Sequence, residues 1–530
     1  MKPYIDFVNI HMPMVLSSVD RDEDSKTYGS CDRNYWHLKI RDFSSAILQQ
    51  TCLTLALAYL IDFDGNIYYQ KEEVRKWSVA ALSYMGKIQL KDGSFNEYYP
   101  NEHGFPPTAF NLYAGCMTYL LLGVDDKKIL NSLIKAAQWL SCHDETKAFN
   151  QEVAALAGLA LLKKITGVCD FDKNIEDKVN ILLSVYCSEG WFPEQGGADI
   201  GYSSVALDML IEYYEATGDE RMVKPLLGMV DFLSAFVHPD GTIGGEYGSR
   251  NTIYFMPNGL EGYIRNGLAS GGVAAWMVRM LYEPSNSLND FMLAVDERYL
   301  SHYVMHSYLR AIGKYIKRTV SKDAYKFESR CYPTAGLFTY AISDCYVICG
   351  ASKGGLIKIY KNDKELFWDC GYRIHLGSGR TAATNWLDKY SITKNKNEIS
   401  ISGSFHLVKQ KLQKPIYHLG LRILAKLIGG KLNKLIKRLT IFQKSEYPAS
   451  FKRLIRFFDD KVIIEDWIDG IQGNLLKEAN NVSLRLVASG KFFSRSDILR
   501  AGLCEYGRIN SLHRIREVSL VDGDVKTEVL

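Results

Sequence analysis

The sequence predicts a multidomain protein of the α-then-β class, with an N-terminal (α/α) toroid followed by an antiparallel β-sandwich. Three observations predict this fold. Apolar residues recur with a helical period from about residue 44 to about residue 318, and with a period of two beyond about residue 326. Helix-like pairs recur roughly every fifty residues, which is typical of stacked helical hairpins. A short turn with a glycine and acidic residues occurs three times in the helical half.

Helices that come first and strands that come second indicate two segregated domains, and 530 residues exceed what one hydrophobic core usually holds. We assign residues 1–320 to the toroid, with 1–43 as an N-terminal segment that seals the ring, and residues 326–530 to the sandwich. The apolar stripe of Leu207, Leu210, Ile211 and Tyr214 illustrates the helical period. Comparable segments predict helices at 45–61, 73–88, 108–122, 127–141, 151–166, 174–187, 221–236, 266–282 and 298–317.

The repeated turn is the most informative feature of the helical half. Each copy follows a helix-like stretch and returns a carboxylate to the same end of the bundle, so separate turns would build one polar pocket. This favours a closed ring with a central funnel over an open solenoid. The three copies read Asp92-Gly93-Ser94-Phe95-Asn96-Glu97, Glu189-Gly190-Trp191-Phe192-Pro193-Glu194 and Asp240-Gly241-Thr242-Ile243-Gly244-Gly245-Glu246.

The C-terminal half contains many short strand patterns with polar turns, which predict a sandwich. A hairpin is expected at 451–470, around Asp459-Asp460. Further strands are expected at 346–348, 356–360, 399–405 and 482–486.

A basic segment, residues 409–444, interrupts these strands. It contains no acidic residue, ten Lys and Arg residues and apolar faces broken at Gly429-Gly430. A basic amphipathic helical hairpin of this kind could make peripheral contact with an anionic membrane. The alternative is an insertion whose apolar face packs on its own sandwich and whose lysines are solvated.

Composition limits the class of function. A formal net charge of +4 on this length gives no argument for nucleic acid as a partner. The 11 Cys include no CxxC pair, and the start of the chain lacks the features of a signal peptide, so we expect a cytoplasmic protein, with membrane association through 409–444 left open. No metal-binding, Walker or dinucleotide motif occurs, so we expect neither metal nor cofactor. The 33 Tyr suit stacking on sugar rings, although aromatic residues also fill cores.

Tyr202 is the leading candidate for proton transfer. It follows the Gly-rich turn that contains Glu194 and Gln195, near the start of a predicted helix. A tyrosine needs a cation or polarised donors nearby to act near neutral pH, and Arg250 in the third turn is the candidate cation. The alternative is that Tyr202 packs and Arg250 pairs with Glu246.

Other candidates come from helix starts and aromatic loops. Asn150-Gln151 opens a predicted helix, where Asn is also an ordinary cap. His375 on a strand could point towards the toroid, although a single strand His is more often structural. The N-terminal stretch could recognise an anionic sugar or seal the ring. The candidate substrate-binding residues are Arg33, Tyr35, Trp36, His37, Glu97, Tyr98, Gln195, Glu246, Tyr247 and Asn251.

Together these residues resemble the heparinase II/III-like polysaccharide lyases, alginate lyases among them, over about residues 40 to 490. The best matches are the Asn150-Gln151 helix start, the Phe192 to Tyr202 segment and the Gly248-Ser249-Arg250 turn. The segments 33–43 and 246–252 resemble uncharacterised bacterial members found among surface-polysaccharide genes. The resemblance implies a toroid followed by a sandwich, and an acidic polysaccharide or oligosaccharide as the partner.

The resemblance also implies β-elimination of a uronate-containing glycan. Asn150 would neutralise the substrate carboxylate, and Tyr202 would act as acid or base. Many family members have His after this Asn, whereas this chain has Gln151, which has no titrating proton. Either Tyr202 makes both proton transfers, or a sandwich residue such as His375 assists, or the chemistry has changed.

Two other classes of function stay open. A glycoside hydrolase on the same toroid would use two carboxylates drawn from Glu97, Glu194, Asp240 and Glu246, about 5 Å apart for retention or 6.5–9.5 Å for inversion. A non-catalytic protein of polysaccharide assembly would only bind glycan.

Overall fold

The structure is a computed structural model. It describes residues 1–167, 170–283, 289–321, 324–377, 379–409, 414–432, 436, 445–481, 492–494, 496–499 and 503–530. The strand expected at 482–486 and much of the second arm of the basic segment lie outside these residues.

The helical half consists of alternating inner and outer helices. In chain order they are α1 Lys2–Ser18, α2 Arg33–Trp36, α3 Thr51–Leu60, α4 Glu72–Lys87, α5 Phe105–Leu121, α6 Lys127–Ser141, α7 Phe149–Thr166, α8 Asp172–Val185, α9 Ile200–Thr217, α10 Val223–Ser234, α11 Pro257–Arg265, α12 Gly272–Tyr282, α13 Asp290–Ala294, α14 Glu297–Tyr299 and α15 Met305–Lys314.

The inner helices close into a ring. Each of α3, α5, α7, α9, α11 and α15 packs against the next, and α15 packs back against α3. Helices α1, α4, α6, α8, α10 and α12 pack on the outside of this ring. Helix α7 is buried on almost every side, whereas α6 buries one face, as expected of inner and outer helices. The predicted toroid is confirmed.

The glycine of the repeated turn is required for a steric reason. Gly93 and Gly190 both adopt positive φ, and a Cβ at either residue would lie 2.2 Å from a carbonyl oxygen, that of Lys135 or Gly228 respectively, on the next outer helix. Only glycine allows this approach. Gly29 makes the same contact with the carbonyl oxygen of Ala80 on α4. The turn therefore has a further copy near the N-terminus, which the sequence pattern did not reveal.

The first sheet of the C-terminal half contains its strands in sequence order. They are β1 Arg330–Tyr332, β2 Leu337–Ile342, β3 Cys345–Gly350, β4 Leu356–Lys361 and β5 Lys364–Asp369.

The second sheet contains β6 Tyr372–His375, β7 Arg380–Ala383, β8 Ser391–Asn395, β9 Glu398–Lys409, β10 Glu446–Phe457, β11 Lys461–Asp469, β12 Asn474–Glu478, β13 Glu505–Ile509, β14 Leu512–Ser519 and β15 Val525–Val529. Its order is β13-β12-β6-β7-β9-β10-β11-β14-β15, and β8 also pairs with β9. All the pairings are antiparallel, and the hairpin expected at 451–470 is the pair β10–β11, with Phe457 opposite Val462.

The two sheets pack face to face, so the predicted sandwich is confirmed. Strand β3 is buried on both faces. Its Val347 joins the core between the sheets, whereas Ile348 joins the core that extends into the toroid. The first sheet therefore lies between the toroid and the second sheet, and it carries the residues that meet the toroid.

A buried ion network joins the two sheets. The Arg453 guanidinium on β10 lies 2.6 Å from Asp466 on β11 and 3.0 Å from Asp369 at the end of β5. Arg516 on β14 contacts both carboxylates. These side chains are at most 5% exposed, so each charge depends on its partners for stabilisation.

The described part of the basic segment contains helix α16, from Pro415 to Ile428. It lies beside the N-terminal segment of the toroid, where Arg422 donates to a carboxylate oxygen of Asp42 at 2.9 Å. Within the described ranges, every helix falls short of the length and apolar character needed to cross a bilayer.

Candidate active site at the toroid mouth

Four segments of the toroid meet where its inner helices begin, and we call this region the mouth. They are the first turn with Glu97 and Tyr98, the second turn with Glu194, the third turn with Arg250, and the segment 297–304 before α15. Burial raises the pKa of Tyr299, and the neighbouring Tyr202, Tyr303 and Tyr98 add to this effect. Side chains from distant turns thus lie within electrostatic reach of one another.

Glu194 is buried against the start of α7. Its Oε1 accepts hydrogen bonds from the backbone N–H of Asn150 at 2.8 Å and from the Asn150 side-chain amide at 2.9 Å. Burial raises the pKa of the Glu194 carboxyl to about 8, although the bonds from Asn150 act in the opposite direction. Glu194 is therefore mainly protonated at pH 7, and it can donate a hydrogen bond without carrying a negative charge.

Tyr202 lies in the first turn of α9, which Asp199 caps. The Asp199 carboxylate accepts from the Tyr202 N–H at 3.1 Å and from the Arg250 N–H at 2.8 Å, and Thr252 Oγ1 also donates to it. The same carboxylate thus fixes the helix that carries Tyr202 and the turn that carries Arg250. The Arg250 guanidinium lies over the Tyr202 ring, 5.5 Å from its centroid.

The rings of further tyrosines line the mouth beside Tyr202. The Tyr254 ring lies edge-on to Tyr202, with 6.2 Å between centroids, and its hydroxyl lies 3.1 Å from that of Tyr303. Burial raises the pKa of Tyr303 well above its usual range, and the nearby Tyr202, Asp199 and Glu194 act in the same direction. Tyr303 is therefore un-ionised at pH 7 and presents a neutral hydroxyl group near Tyr202.

Glu97 pairs with Arg298, and the Arg298 guanidinium lies over the Tyr98 ring, 5.1 Å from its centroid. Glu102 accepts from the backbone N–H groups of Glu97 and Tyr98, each at 2.7 Å. Burial and the charge of Glu97 raise the pKa of Glu102 to about 7. The first turn therefore holds its carboxylate in an ion pair at the mouth.

His302 is a site residue that the sequence analysis missed. It lies in a π-helical turn, Leu300–Val304, and its ring packs on Phe110 and Tyr303. Its buried Nε2 has no hydrogen-bond partner within the described residues. Burial and the charge of Arg298 hold the pKa of His302 well below its usual range, so the ring is neutral at pH 7. The density of Arg, Tyr and His in residues 298–303 was the available signal.

The third turn contributes differently from the first two. Glu246 lies 2.9 Å from Lys358 Nζ on β4, and the Tyr247 hydroxyl lies 2.8 Å from His238 Nε2. The Asn251 side-chain oxygen accepts from Lys353 Nζ at 2.7 Å. These three candidates lie where the toroid meets the first sheet, and Glu246 lines a cavity of about 260 Å³ there that Tyr254 also borders. The sequence alternative pairs Arg250 with Glu246; in the structure Glu246 forms an ion pair with Lys358 on β4, and the Arg250 guanidinium lies over the Tyr202 ring.

The glutamines flank the mouth. Gln195 adopts positive φ, and its N–H donates to the Lys147 carbonyl at 2.6 Å, which ties the second turn to the start of α7. Gln151 follows Asn150 in α7, and its buried Oε1 accepts no hydrogen bond from the described residues.

The remaining candidates lie in or next to α2 and in the second sheet. Arg33, Tyr35 and Trp36 form α2, where Trp36 Nε1 donates to the Ser18 carbonyl at 2.8 Å, and His37 is exposed. His375 lies in β6, opposite Leu475 of β12, and the charges that act on it are those of Lys477, Arg373 and Glu505 in the same sheet. The structure thus places α2 against α1 and places His375 within the second sheet.

Among the described residues, no group of three or more His, Cys, Asp or Glu side chains comes close enough together to hold a metal ion.

Comparisons with known proteins give matches in structure. No family model and no curated protein matches the sequence. A mutant heparan sulfate lyase from Pedobacter heparinus is 11% identical, with a TM-score of 0.41, over 91% of this chain and 82% of that chain. Heparinase III is 11% identical, with a TM-score of 0.43, over 97% and 84%. Chondroitin AC lyase from Streptomyces coelicolor A3, in complex with chondroitin sulphate, is 11% identical, with a TM-score of 0.46, over 90% and 71%.

Proposed function

We propose that the protein is a glycan-active enzyme that cleaves an acidic, uronate-containing polysaccharide by β-elimination at the toroid mouth. The observation that carries this proposal is the placement of the Arg250 guanidinium, which lies over the Tyr202 ring and within electrostatic reach of the neutral Glu194 carboxyl. A phenol, a fixed cation and an uncharged hydrogen-bond donor are the groups that this reaction needs.

The elimination first requires that the substrate carboxylate be neutralised, because its negative charge opposes removal of the neighbouring proton. Arg250 can pair with this carboxylate. Glu194 can donate its own proton to the same group in a hydrogen bond, because it is mainly uncharged at pH 7. An ionised Glu194 would repel the substrate, so its raised pKa favours binding.

Proton transfer is assigned to Tyr202. The base takes the proton from the carbon next to the carboxylate, the electron pair forms a carbon–carbon double bond, and the bond to the glycosidic oxygen breaks. The departing oxygen then takes a proton. Tyr202, ionised to its phenolate beside the Arg250 cation, can accept the first proton and then, as the neutral phenol, donate it to the departing oxygen. The His302 ring also presents an Nε2 without a hydrogen-bond partner among the described residues, but its lowered pKa makes it a weak base, so proton removal is assigned to Tyr202.

Asn150 receives a changed role in this proposal. The sequence resemblance implies that Asn150 neutralises the substrate carboxylate. In the structure its side-chain amide donates to Glu194, so we assign Asn150 to orient Glu194. His375 stays a prediction, because its described neighbours belong to its own sheet.

A glycoside hydrolase is the second candidate, and the state of the carboxylates disfavours it. Hydrolysis needs an ionised carboxylate that is available as base or nucleophile. Glu97 pairs with Arg298, Glu246 pairs with Lys358, and Asp240 accepts from the backbone N–H and the hydroxyl of Thr242 at 3.0 and 2.6 Å. Glu194 could serve as the acid, but these carboxylates are committed to other contacts.

The test is an activity screen on heparan sulfate, chondroitin sulfate and alginate with detection at about 230 nm, where the new double bond absorbs. We expect an absorbing product from the wild type and none from Tyr202→Phe, which keeps the ring but loses the hydroxyl. Tyr214→Phe, at the other end of α9, is the matched control and should keep full activity. New reducing ends without absorbance would support the hydrolase, and binding without either product would support a non-catalytic glycan-binding protein.

A further inference from the structure

Helix α16 turns an apolar face to solvent. Leu427 is 75% exposed and Ile416 is 64% exposed. The spacing of the exposed apolar residues follows the helical period, so they share one broad side of the helix. This face comprises Ile416, Tyr417, Leu419, Ile423, Leu424, Leu427 and Ile428, each at least 45% exposed. A contiguous patch of this kind marks an interaction surface.

The opposite side of α16 is held by the protein. Ala425 is fully buried, and Arg422 forms a two-pronged ion pair with Asp42 of the N-terminal segment. Beyond the helix, a Cβ at Gly430 would lie 3.2 Å from the Cβ of His103, in the loop of the first turn. These contacts hold the helix with its apolar face outward, so the exposure is a property of the packed fold.

The positive charge of the basic segment indicates an anionic partner. Residues 399–445 contain ten Lys and Arg residues and no Asp or Glu. Lys414, at the N-cap of α16, and Lys426, within the helix, are exposed beside the apolar face. In a bilayer with acidic lipids, anionic headgroups lie over an apolar acyl-chain region. An apolar helix face flanked by cations matches this interface, because the cations can contact the headgroups while the apolar side chains enter the acyl region. A helix of 14 residues is about 21 Å long, so it would lie in the interface plane and not span the membrane.

We propose that α16 docks the protein on an anionic lipid bilayer, with the apolar face inserted among the lipid headgroups. The contact with His103 then places the first turn, and with it the mouth, close to the membrane surface. This surface is independent of the chemistry at the mouth, so the proposal stands whether or not the elimination occurs.

The test is co-sedimentation of the full chain with vesicles of phosphatidylcholine alone and of phosphatidylcholine with about 30% phosphatidylglycerol. We expect binding to the anionic vesicles that weakens as salt is raised. The double variant Ile423→Asp with Leu427→Asp should lower the bound fraction at least about tenfold. Ile67→Asp, at a 71% exposed residue of a toroid loop, is the matched control and should bind as the wild type does.

The charge contribution has its own pair of variants. Lys426→Glu with Lys431→Glu should lower binding to the anionic vesicles about tenfold or more. Lys364→Glu with Lys396→Glu makes the same change of charge at two exposed residues of the sandwich, at the start of β5 and in the turn between β8 and β9, and should have a much smaller effect. The proposal is overturned if the wild type binds neither vesicle, or if the α16 variants bind as well as their controls. A dimer that Ile423→Asp with Leu427→Asp dissociates, without vesicle binding, would assign the face to a second copy and overturn it too.

Discussion

The guanidinium of Arg250 lies over the ring of Tyr202, with 5.5 Å between the central carbon and the ring centroid. The two residues come from different turns of the toroid, and the Asp199 carboxylate binds the backbone N–H of both. A cation held over a phenol stabilises the negative charge that the oxygen acquires when its proton leaves. The pair is therefore suited to proton transfer, in addition to packing.

We expect Arg250→Met to lower kcat/KM on an acidic polysaccharide by about a hundredfold or more, because it removes a fixed cation from the site of developing charge. Arg250→Lys should keep part of the activity, since it retains the charge but loses the planar stacking. Steady-state rates at 230 nm measure both effects. Arg265→Met, at an exposed residue of α11, is the control, and a normal rate for Arg250→Met would contradict the assignment.

The raised pKa of Glu194 predicts that the free energy of unfolding falls as the pH rises. Its pKa is about 8 in the folded protein against a usual value of 4.5. Both states are protonated below pH 4.5, so the contribution is fully present there, and it is lost as pH rises through 8 because only the unfolded state releases the proton readily. The loss is on the order of 4 kcal/mol by pH 9.

Glu194→Gln keeps an acceptor for Asn150 and cannot ionise, so its stability should not decline in this window. We expect its Tm to exceed that of the wild type increasingly between pH 6 and pH 9. Thermal unfolding over this range measures the difference. Glu220→Gln, at an exposed residue, should follow the wild type at every pH, and a constant offset for Glu194→Gln would show that Glu194 does not titrate there.

The ion network between the sheets predicts a large cost for Arg453→Met. The change leaves Asp466 and Asp369 buried with less compensation, which costs about 3–5 kcal/mol of unfolding free energy. Urea unfolding measures it. Arg456→Met on the same strand is the matched control. Arg456 is partly exposed and pairs with Glu398 and Glu465, so its loss should cost about 1 kcal/mol or less. Equal costs would contradict the role of burial.

The close approach at the glycine of the repeated turn predicts that Gly190→Ala destabilises the protein more than Gly167→Ala does. Gly190→Ala would place a Cβ 2.2 Å from the Gly228 carbonyl oxygen at a residue with positive φ, so α10 would have to move. We expect a loss of several kcal/mol of unfolding free energy. Gly167→Ala also has positive φ, but nothing lies within 4 Å of its Cβ, so it should cost about 1–2 kcal/mol. Similar losses would show that the close approach is not important.

The period of apolar residues predicted most of the toroid correctly. The expected helix at 127–141 has the bounds of α6, and the expected strands at 346–348 and 356–360 lie in β3 and β4. Amphipathic elements are predictable in this way because burial selects one face of each. Besides the short helices α2 and α13, the sequence analysis missed α1 and α11. Helix α1 lies in the segment assigned only to sealing, and its residues Tyr4, Phe7 and Val8 follow the helical period in spite of Pro13.

Helix α11 was missed because it contains Gly259 and Gly262, which lower helix propensity. A Cβ at Gly259 would lie 2.9 Å from the backbone N of Asp208, and one at Gly262 would lie 2.7 Å from Ile211. The glycines allow α11 to approach α9 closely. This reason exists only in the packed ring, so local propensity could not have supplied it.

By itself, the sequence determined the α-then-β order, the closed ring and the turns that return polar residues to its mouth, because hydrophobic period and turn chemistry are local properties. Only the tertiary structure decided which of those residues meet. In the folded protein, the Arg250 guanidinium lies over the Tyr202 ring, and Glu246 pairs with Lys358 on β4. Burial raises the pKa of Glu194, and it brings His302, which the sequence analysis did not identify, into the site. Distances between turns fifty residues apart, and the burial that shifts a pKa, arise from packing, which no single segment encodes.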